Sequence, residues 1–335
     1  VSIRLADVTT LRLGGPAAHV IEATSTEQLV DVVRSADGRG EPVLLVSGGS
    51  NLLVADEGWP GLVVLVRTRG VEVQEADGRV LITAAAGEPW DELVAVTVER
   101  GWSGLAAMSG IPGRTGATPI QNVGAYGSEV SDSITSLTVL DRASGEVERW
   151  DPARFGFGFR TSAFKHTDRF VVLDVSFALT PSELAAPVRY LELARRLGVE
   201  PGSAAPSADV RSTVLELRRS KGMLLDADDH DTWSVGSFFV NPFVEAALVP
   251  PGSPQWEVDG RIKLSAAWLI EQAGFGRGYG NEHVRVSTKH TLALTNRGSA
   301  STAQLLALAA EIRAGVETRF GIRLRPEAHL VGVDF

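Results

Sequence analysis

The chain contains no cysteine. That absence removes disulfide frameworks, thiolate nucleophiles, Cys-ligated zinc and iron–sulfur clusters together. Long apolar runs are missing too. Stretches such as Leu62–Val66 and Val43–Val46 are strand-sized, far short of the ~20 residues that a membrane-spanning helix needs. Positive charge is in deficit, with 32 Lys plus Arg against 41 Asp plus Glu and a formal net charge of -9. A field of that sign disfavours nonspecific binding to nucleic acid or to a membrane surface. An anionic ligand would need a local basic cluster or backbone N–H groups. Histidine is scarce, and no H-E-x-x-H pair occurs among the 6 present. The acidic run Asp226–Asp231 lacks EF-hand spacing and its glycine, so it reads as a solvated turn, and no metal site is expected. Val1–Thr10 carries no apolar signal region, which makes the cytoplasm the expected location.

What is present describes a globular chain of two or three domains. It has 335 residues, 44% of them apolar and 22% charged. Thr24 and Glu27 stand three apart as a capping box, predicting a helix to about Ser35. Strands are expected at Val43–Val46, Leu52–Val54, Leu62–Val66, Val71–Val73 and Val80–Thr83, with Asp77-Gly78 as a hairpin turn. A helix follows from Trp90 to Arg100, stopped by Gly101. Further strands are expected at Leu137–Leu140, Val147–Trp150 and Phe170–Leu179. Helices are expected at Val188–Leu197 and Val210–Arg219, the second capped by Ser207. Pro201–Ser207 reads as a linker. Leu264–Ala273 is a short helix closed by Gly274. Ser301 and Gln304 box the start of a long amphipathic helix, Thr302–Phe320. Strands and helices mix without a steady βαβ rhythm, so the class is α+β.

Two Gly-rich segments interrupt this pattern. The first is Ser47-Gly48-Gly49-Ser50-Asn51, between two strand-length apolar runs. Its glycines let backbone N–H groups face an anion without side-chain obstruction, or make a tight turn between strands. It is neither a Rossmann fingerprint nor a P-loop. The second segment lies within Gly101–Gly127, where seven glycines fall in 27 residues. It comprises Ser109, Gly110, Ile111, Pro112, Gly113, Arg114, Thr115, Gly116 and Ala117, and continues through Gln121, Asn122, Gly124, Ala125 and Tyr126. Small residues permit close approach to a flat ligand, and the amides of Gln121 and Asn122 can read the edges of a heterocycle. A loop this long and this apolar is more functional than disordered in character.

These segments, with Thr10–Ala17 ahead of them, resemble the UDP-N-acetylenolpyruvoylglucosamine reductase (MurB) family, in its long-loop subclass. The resemblance continues through Phe159–Lys165, Ser234–Pro242, Lys263–Glu271, Thr288–His290 and Leu324–Glu327. It therefore spans nearly the whole chain in order. It implies a two-part FAD-binding domain of the PCMH or vanillyl-alcohol-oxidase type plus a C-terminal α+β substrate domain. The boundaries expected are 1–70 and 71–205 for the FAD-binding parts, 206–325 for the substrate domain, and a final segment, 326–335, returning to the active-site region.

The implied activity is NADPH-dependent reduction of UDP-N-acetylglucosamine enolpyruvate to UDP-N-acetylmuramate in peptidoglycan precursor synthesis. No side chain donates a hydride, so a cofactor is needed. The resemblance makes it FAD, held by Ser47–Asn51 and by the second segment and reduced by NADPH. Hydride then passes to carbon 3 of the enolpyruvyl group. Ser237, read alone as a turn serine or a positioned hydroxyl, becomes the proton donor to carbon 2. Arg160, otherwise a surface cation, becomes the clamp on the enolpyruvyl carboxylate. Glu327 matches the family's active-site glutamate. Most members of the better-known branch carry tyrosine before the arginine, where this chain has Phe159. Arg218 and Lys221 keep the family's Arg-x-x-Lys spacing, although Gly222-Met223 replaces the usual Leu-Pro. With Asn241, His290 and Tyr190 they are expected to hold the substrate. Arg218, Arg219 and Lys221 otherwise read as a solvated helix face, and Tyr190 as a residue packed by Leu193 and Leu197. A monomer is expected, without nucleic-acid or membrane partners. Two other readings stand beside this one: another PCMH-type FAD oxidoreductase, and a catalytically inactive nucleotide-sugar binding protein.

Overall fold

The computed structural model describes residues 3–258 and 260–335. The chain divides into two compact units. Val1–Ala18, Gly49–Pro60 and Ser220–Phe335 make the unit holding both chain ends, here the terminal unit. His19–Gly48 and Gly61–Arg219 make the inner unit. This division differs from the boundaries expected from sequence, because it cuts residues 1–70 into alternating pieces.

The inner unit is organised by antiparallel strands in the order Glu146–Trp150, Ile134–Asp141, Phe170–Pro181, Arg79–Ala85 and Val71–Ala76. Arg79–Ala85 alternates buried and less buried residues, as a strand with one covered face must. Asp77 and Gly78 take φ of 51° and 69°, so the hairpin between the last two strands turns where expected. The helix Trp90–Glu99 adds the fully buried Trp90, with Leu93 and Val94, to the core of this sheet. A three-stranded sheet runs in the order Ala17–Ala23, Trp59–Val66, Val43–Val46. Val43–Val46 and Trp59–Val66 pair in parallel, and the six residues from Gly61 to Val66 are all buried, which suits their unbroken apolar sequence. The helix Thr26–Gly38 adds Leu29, Val30, Val33 and Ala36 to the core beside that sheet.

Several sequence expectations need correction. The first helix starts one residue later than predicted, because Ser25 rather than Thr24 caps it, accepting from Gln28 N at 3.2 Å. It also runs on to Gly38. The third segment expected to be helical, Val188–Leu197, begins only at Leu191, with Tyr190 as its N-cap in an extended conformation. Ser207 does not cap the next helix. It is the first helical residue, and its buried Oγ has no hydrogen-bond partner among the described residues. Pro201–Ser207 is tied down by Ala185 N to Ala205 O, Val188 N to Ser203 O and Ser207 N to Glu183 O, at 2.7–2.9 Å, rather than being a free linker.

The terminal unit builds one core from distant stretches. Leu11, Leu13 and Leu53 pack with Phe238, Phe239, Leu269, Leu305 and Ile312. Its long helix, Thr302–Phe320, begins with the predicted Ser301–Gln304 capping box and stops at Gly321, with φ 68°. Asp56 strengthens the start, accepting from Thr302 N at 2.8 Å and Ala303 N at 3.0 Å. A carboxylate at a helix N-terminus is electrostatically favoured, and this one ties Gly49–Pro60 into the unit. His329–Val331 pairs in parallel with Leu52–Val54, so the chain's end also returns to that stretch. No described helix is long and apolar enough to cross a membrane.

Candidate active site

In the inner unit, the first Gly-rich segment starts at the end of a buried strand. Arg67 Nη1 donates to Ser47 O at 2.6 Å. The Ser47 hydroxyl is buried and, among the described residues, has no hydrogen-bond partner. A Cβ on Gly48 would lie 2.4 Å from Gly113 Cα, so the two Gly-rich segments touch backbone to backbone. Only glycine permits that approach.

The second segment is held from below by Glu88–Asp91. Trp90 N donates to Gly113 O at 3.1 Å, and its indole N–H donates to Met108 O at 3.0 Å. Gly110 N donates to Asp91 Oδ1 at 2.6 Å. Arg211 grips the same carboxylate with both Nη atoms, at 2.6 and 2.9 Å. Burial pushes the Asp91 carboxyl up, yet these bonds outweigh it and hold it below the usual range. Ser109 Oγ donates to Ala106 O, Thr115 N to Glu88 O, and Gly116 N to Ala86 O. Ile111 and Pro112 remain half-buried, and Ala117 ends a short 3-10 turn. Gln121 is half-buried, and Gly124 and Ala125 pair with Glu129 and Ser128.

Asn122 does not act as the expected reader of a heterocycle. It is 1% exposed, and its Nδ2 donates to Glu129 Oε2 at 2.7 Å and to Gly158 O at 3.2 Å. Its Oδ1 accepts from Ser131 N at 3.2 Å. The side chain is spent on fixing the loop, at a backbone φ of 47°. Arg160 adds to the same brace. It lies at the tip of a tight turn between Gly158 and Thr161, with φ 52°. Its Nη1 donates to Asn122 O at 3.3 Å and its Nη2 to Gly124 O at 2.7 Å.

Tyr126 and Tyr190, expected on cofactor and substrate respectively, meet in the inner unit. Their rings stand edge to face, 5.4 Å apart. Burial pushes the Tyr126 phenol up to about 12, so it stays protonated at neutral pH. Tyr190 is 42% exposed and stands at the N-cap of its helix rather than within it. The basic cluster near residue 218 is not a solvated face. Arg219 is exposed, but Arg218 is only 8% exposed, and burial holds its pKa below the ordinary arginine value despite nearby Tyr126 and Asp91.

The terminal unit gathers a second set. Ser237 is half-buried and followed by the buried Phe238 and Phe239. Glu327 N donates to Phe238 O at 2.8 Å, and Val240 N donates to Arg325 O at 3.1 Å. The Ser237 and Glu327 stretches therefore run side by side. Asn51 joins them: its Nδ2 donates to Glu327 O at 3.3 Å, and its own carbonyl accepts from His329 N at 2.8 Å. Gly49, with φ 61°, accepts from Thr10 N at 3.1 Å, and Ser50 is half-buried. The turn after His290 also reaches this strip, since Phe238 N donates to Leu292 O at 2.7 Å. Burial, then the charge of Lys221, pushes His290 down to about 4, with Glu271 opposing. The imidazole is therefore neutral at pH 7. Asn241 Oδ1 accepts from Ala266 N at 2.9 Å, which starts the helix Ala266–Gln272 beside it.

The acidic run is also corrected. Asp231 is 5% exposed; its Oδ1 accepts from Thr288 N at 3.0 Å, and it pairs with Arg297 at 3.1 Å. Burial pushes this carboxyl up, but those partners hold it below the usual range. It is a structural tie rather than a solvated turn. Among the described residues, no His/Asp/Glu group is arranged to hold a metal ion. Sequence reasoning missed Asp91, Arg67 and Arg114. Arg114 lies inside the second Gly-rich segment and is its one charged residue; Asp91 gives no local signal, because its partners lie 19 and 120 positions away.

Comparison with known proteins gives consistent matches. The family profile described as UDP-N-acetylenolpyruvoylglucosamine reductase, C-terminal domain, matches residues 228–331. The profile described as FAD binding domain matches residues 17–151. The UDP-N-acetylenolpyruvoylglucosamine reductase of Thermobifida fusca (strain YX) is 52% identical, over 99% of this chain and 98% of its own. That of Salinispora arenicola (strain CNS-205) is 54% identical, over 98% and 94%. The crystal structure of UDP-N-acetylenolpyruvylglucosamine reductase (MurB) from Thermus caldophilus has a similar fold. It superposes with a TM-score of 0.67 at 24% identity, over 99% of this chain and 98% of that one.

Proposed function

Because the chain belongs to the UDP-N-acetylenolpyruvoylglucosamine reductase family, we propose that it reduces UDP-N-acetylglucosamine enolpyruvate to UDP-N-acetylmuramate, with NADPH as reductant, in peptidoglycan precursor synthesis. The observation that carries the reading is the pairing of the Ser237 and Glu327 stretches, with Glu327 N on Phe238 O at 2.8 Å. It sets a hydroxyl and a carboxylate on adjoining backbones. The cofactor under this reading is FAD. Its fit is supported by the unpartnered Ser47 hydroxyl and by the glycine-only contact of Gly48 with Gly113. Ser47, Gly48 and Ser109–Ala117 would hold it, with Gln121–Tyr126 alongside. When bound, FAD supplies two electrons from NADPH to carbon 3 of the enolpyruvyl group.

The chain's own residues supply the rest. As carbon 3 gains its hydrogen, negative charge spreads over carbon 2 and the carboxylate. Arg160 offers a permanently charged fork to that carboxylate. Ser237 gives its proton to carbon 2. Serine is a weak acid, so the proton must be delivered while neighbours stabilise the oxygen. Glu327 is assigned to the same centre. Lys221, Asn241 and His290, with Tyr190 and Arg218, are assigned to the nucleotide sugar. The neutral His290 can donate or accept there without adding charge. We take the protein to act as a monomer in the cytoplasm, where NADPH and nucleotide sugars are kept.

NADPH consumption measured with and without the enolpyruvyl nucleotide tests the proposal. Consumption that depends on the nucleotide, with UDP-N-acetylmuramate as product, is expected. A yellow protein that consumes NADPH without regard to the nucleotide would mean another flavin oxidoreductase. A colourless protein that takes up no FAD would leave a binding protein. Ser237→Ala should keep flavin reduction by NADPH and slow the nucleotide-dependent reoxidation by ~10²–10⁴. Equal slowing of both half-reactions would remove the proton-donor role.

A further inference from the structure

Among the described residues, two arginines beside the Gly-rich segments have no counter-charge in contact. Arg67 is half-buried and spends Nη1 on Ser47 O at 2.6 Å and Val66 O at 3.0 Å. Arg114 follows Gly113 in the second segment, is half-buried, and spends Nη1 on Gly87 O at 2.5 Å. Gly87 itself presses on the Arg67–Thr68 backbone. A Cβ there would lie 2.6 Å from Arg67 C and 2.3 Å from Thr68 N. The Ser47-Gly48 side closes the ring, since Gly48 abuts Gly113. The two guanidinium groups are thus drawn onto one small patch of the inner unit, each anchored by backbone carbonyls.

Their charges are poorly balanced. Among the described residues, neither Arg67 nor Arg114 makes an ion pair, whereas nearby Arg69 pairs with Glu88 at 3.0 Å and Glu92 at 3.8 Å. Burial lowers the pKa of both, and Arg67 and Arg69 lower that of Arg114 further. Glu22 and Glu92 temper this only at longer range. Two half-buried cations held together cost free energy unless an anion lies against them. Carbonyl anchors fix their position but do not neutralise them.

We propose that Arg67 and Arg114 form an anion site for the pyrophosphate of the dinucleotide cofactor, set against the Ser47–Gly48 and Gly113 backbones. The proposal rests on the FAD reading above and assigns the cofactor's charged middle to two side chains rather than to peptide N–H groups alone. Arg114 is the informative one. Its main anchor, Gly87 O, lies outside both Gly-rich segments, so removing its charge leaves the loop contacts in place.

The test follows FAD release from the full-length holoprotein by the fluorescence of freed flavin, at low and high salt. Arg114→Met keeps the bulk of the stem and removes the charge. Losing a charge-assisted contact to phosphate is expected to speed release by about 10- to 100-fold at low salt. It should also flatten the salt dependence, because fewer charges attract the cofactor. Arg114→Lys should restore part of the affinity and most of the salt dependence. Release from Arg114→Met at the wild-type rate, or faster release with an unchanged salt dependence, would overturn the anion site. The alternative that the patch is purely structural predicts a lowered melting temperature in both variants and no rescue by lysine. A wild-type protein that carries no FAD would instead sink the cofactor reading, so the two failures are distinguishable.

Discussion

The two Gly-rich segments reach their shapes by different means. The second is saturated from within. Ser109, Thr115, Thr118 and Asn122 each spend their side-chain polar groups on the protein itself. Arg160, from a separate turn, grips two of its carbonyls. The first segment is the opposite at its start. Strand ends and Arg67 hold its backbone, and the Ser47 hydroxyl is left buried without a partner. A loop that has used its own polar groups is a rigid wall, and a ligand must bring shape to it. A loop with a buried polar atom unsatisfied bears a standing penalty that a ligand can remove. One segment is thus pre-organised and the other is completed by what binds.

Breaking the saturated wall should have the largest effect on stability. Asn122→Ala removes three part-buried side-chain hydrogen bonds and puts a Cβ without a polar arm at φ 47°. At roughly 1 kcal/mol per bond, a loss of about 3 kcal/mol is expected in denaturant unfolding of the FAD-free protein. A loss under about 1 kcal/mol would mean that the loop is held by its backbone bonds alone. Next comes Gly48→Ala, whose methyl would lie 2.4 Å from Gly113 Cα. Since backbone rather than a flexible side chain must yield, a cost of about 2 kcal/mol is expected, together with weaker FAD retention. Wild-type stability in that variant would show that the two segments separate freely.

Much of this was legible from local signals, and what was missed is non-local. Ser301 with Gln304 and Asp77 with Gly78 carry their structures within a few residues, so their positions were read correctly. The Ser25 cap was misread by one position because two adjacent hydroxyls offer the same signal, and Thr24 turns to Gln28 instead. The helix expected from Val188 fails at its start because Val188 is bonded across to Ser203 and Gly202. Tertiary pairing there overrides helical periodicity. The site shows the same division. Ser237 and Glu327 were found through whole-chain resemblance, but their adjacency depends on a single antiparallel bridge, Phe239 to Pro326, between residues more than eighty positions apart. Asn122 looked like a ligand-reading amide because its partners, Glu129, Ser131 and Gly158, arrive only on folding.

Arg160→Lys tests the brace more gently. Lysine keeps the charge but cannot span Asn122 O and Gly124 O as a planar fork does. A stability loss of about 1 kcal/mol is expected from the one or two weakened bonds. Turnover should fall further than stability, because the same fork is assigned to the substrate carboxylate. Near-normal turnover would detach Arg160 from that assignment, whatever happens to the melting temperature.

The smallest effect on the fold is the sharpest test of the comparison. In Ser47→Ala the only heavy atom lost is a buried hydroxyl oxygen that has no partner among the described residues. Removing an unsatisfied buried polar group costs nothing and relieves its desolvation penalty. The FAD-free protein should therefore unfold at the same denaturant concentration as wild type, or be more stable by up to about 1 kcal/mol. The holoprotein should move the other way. If the cofactor is what satisfies this oxygen, one neutral hydrogen bond of about 0.5–1.5 kcal/mol disappears, and FAD release should quicken roughly 3- to 10-fold. The same substitution then stabilises one form and loosens the other. A simple packing role for Ser47 predicts equal, same-signed changes in both forms. Unchanged FAD release with a more stable apoprotein would mean that the hydroxyl is satisfied by neither protein nor cofactor, and the contrast between a saturated and a completed segment would fail.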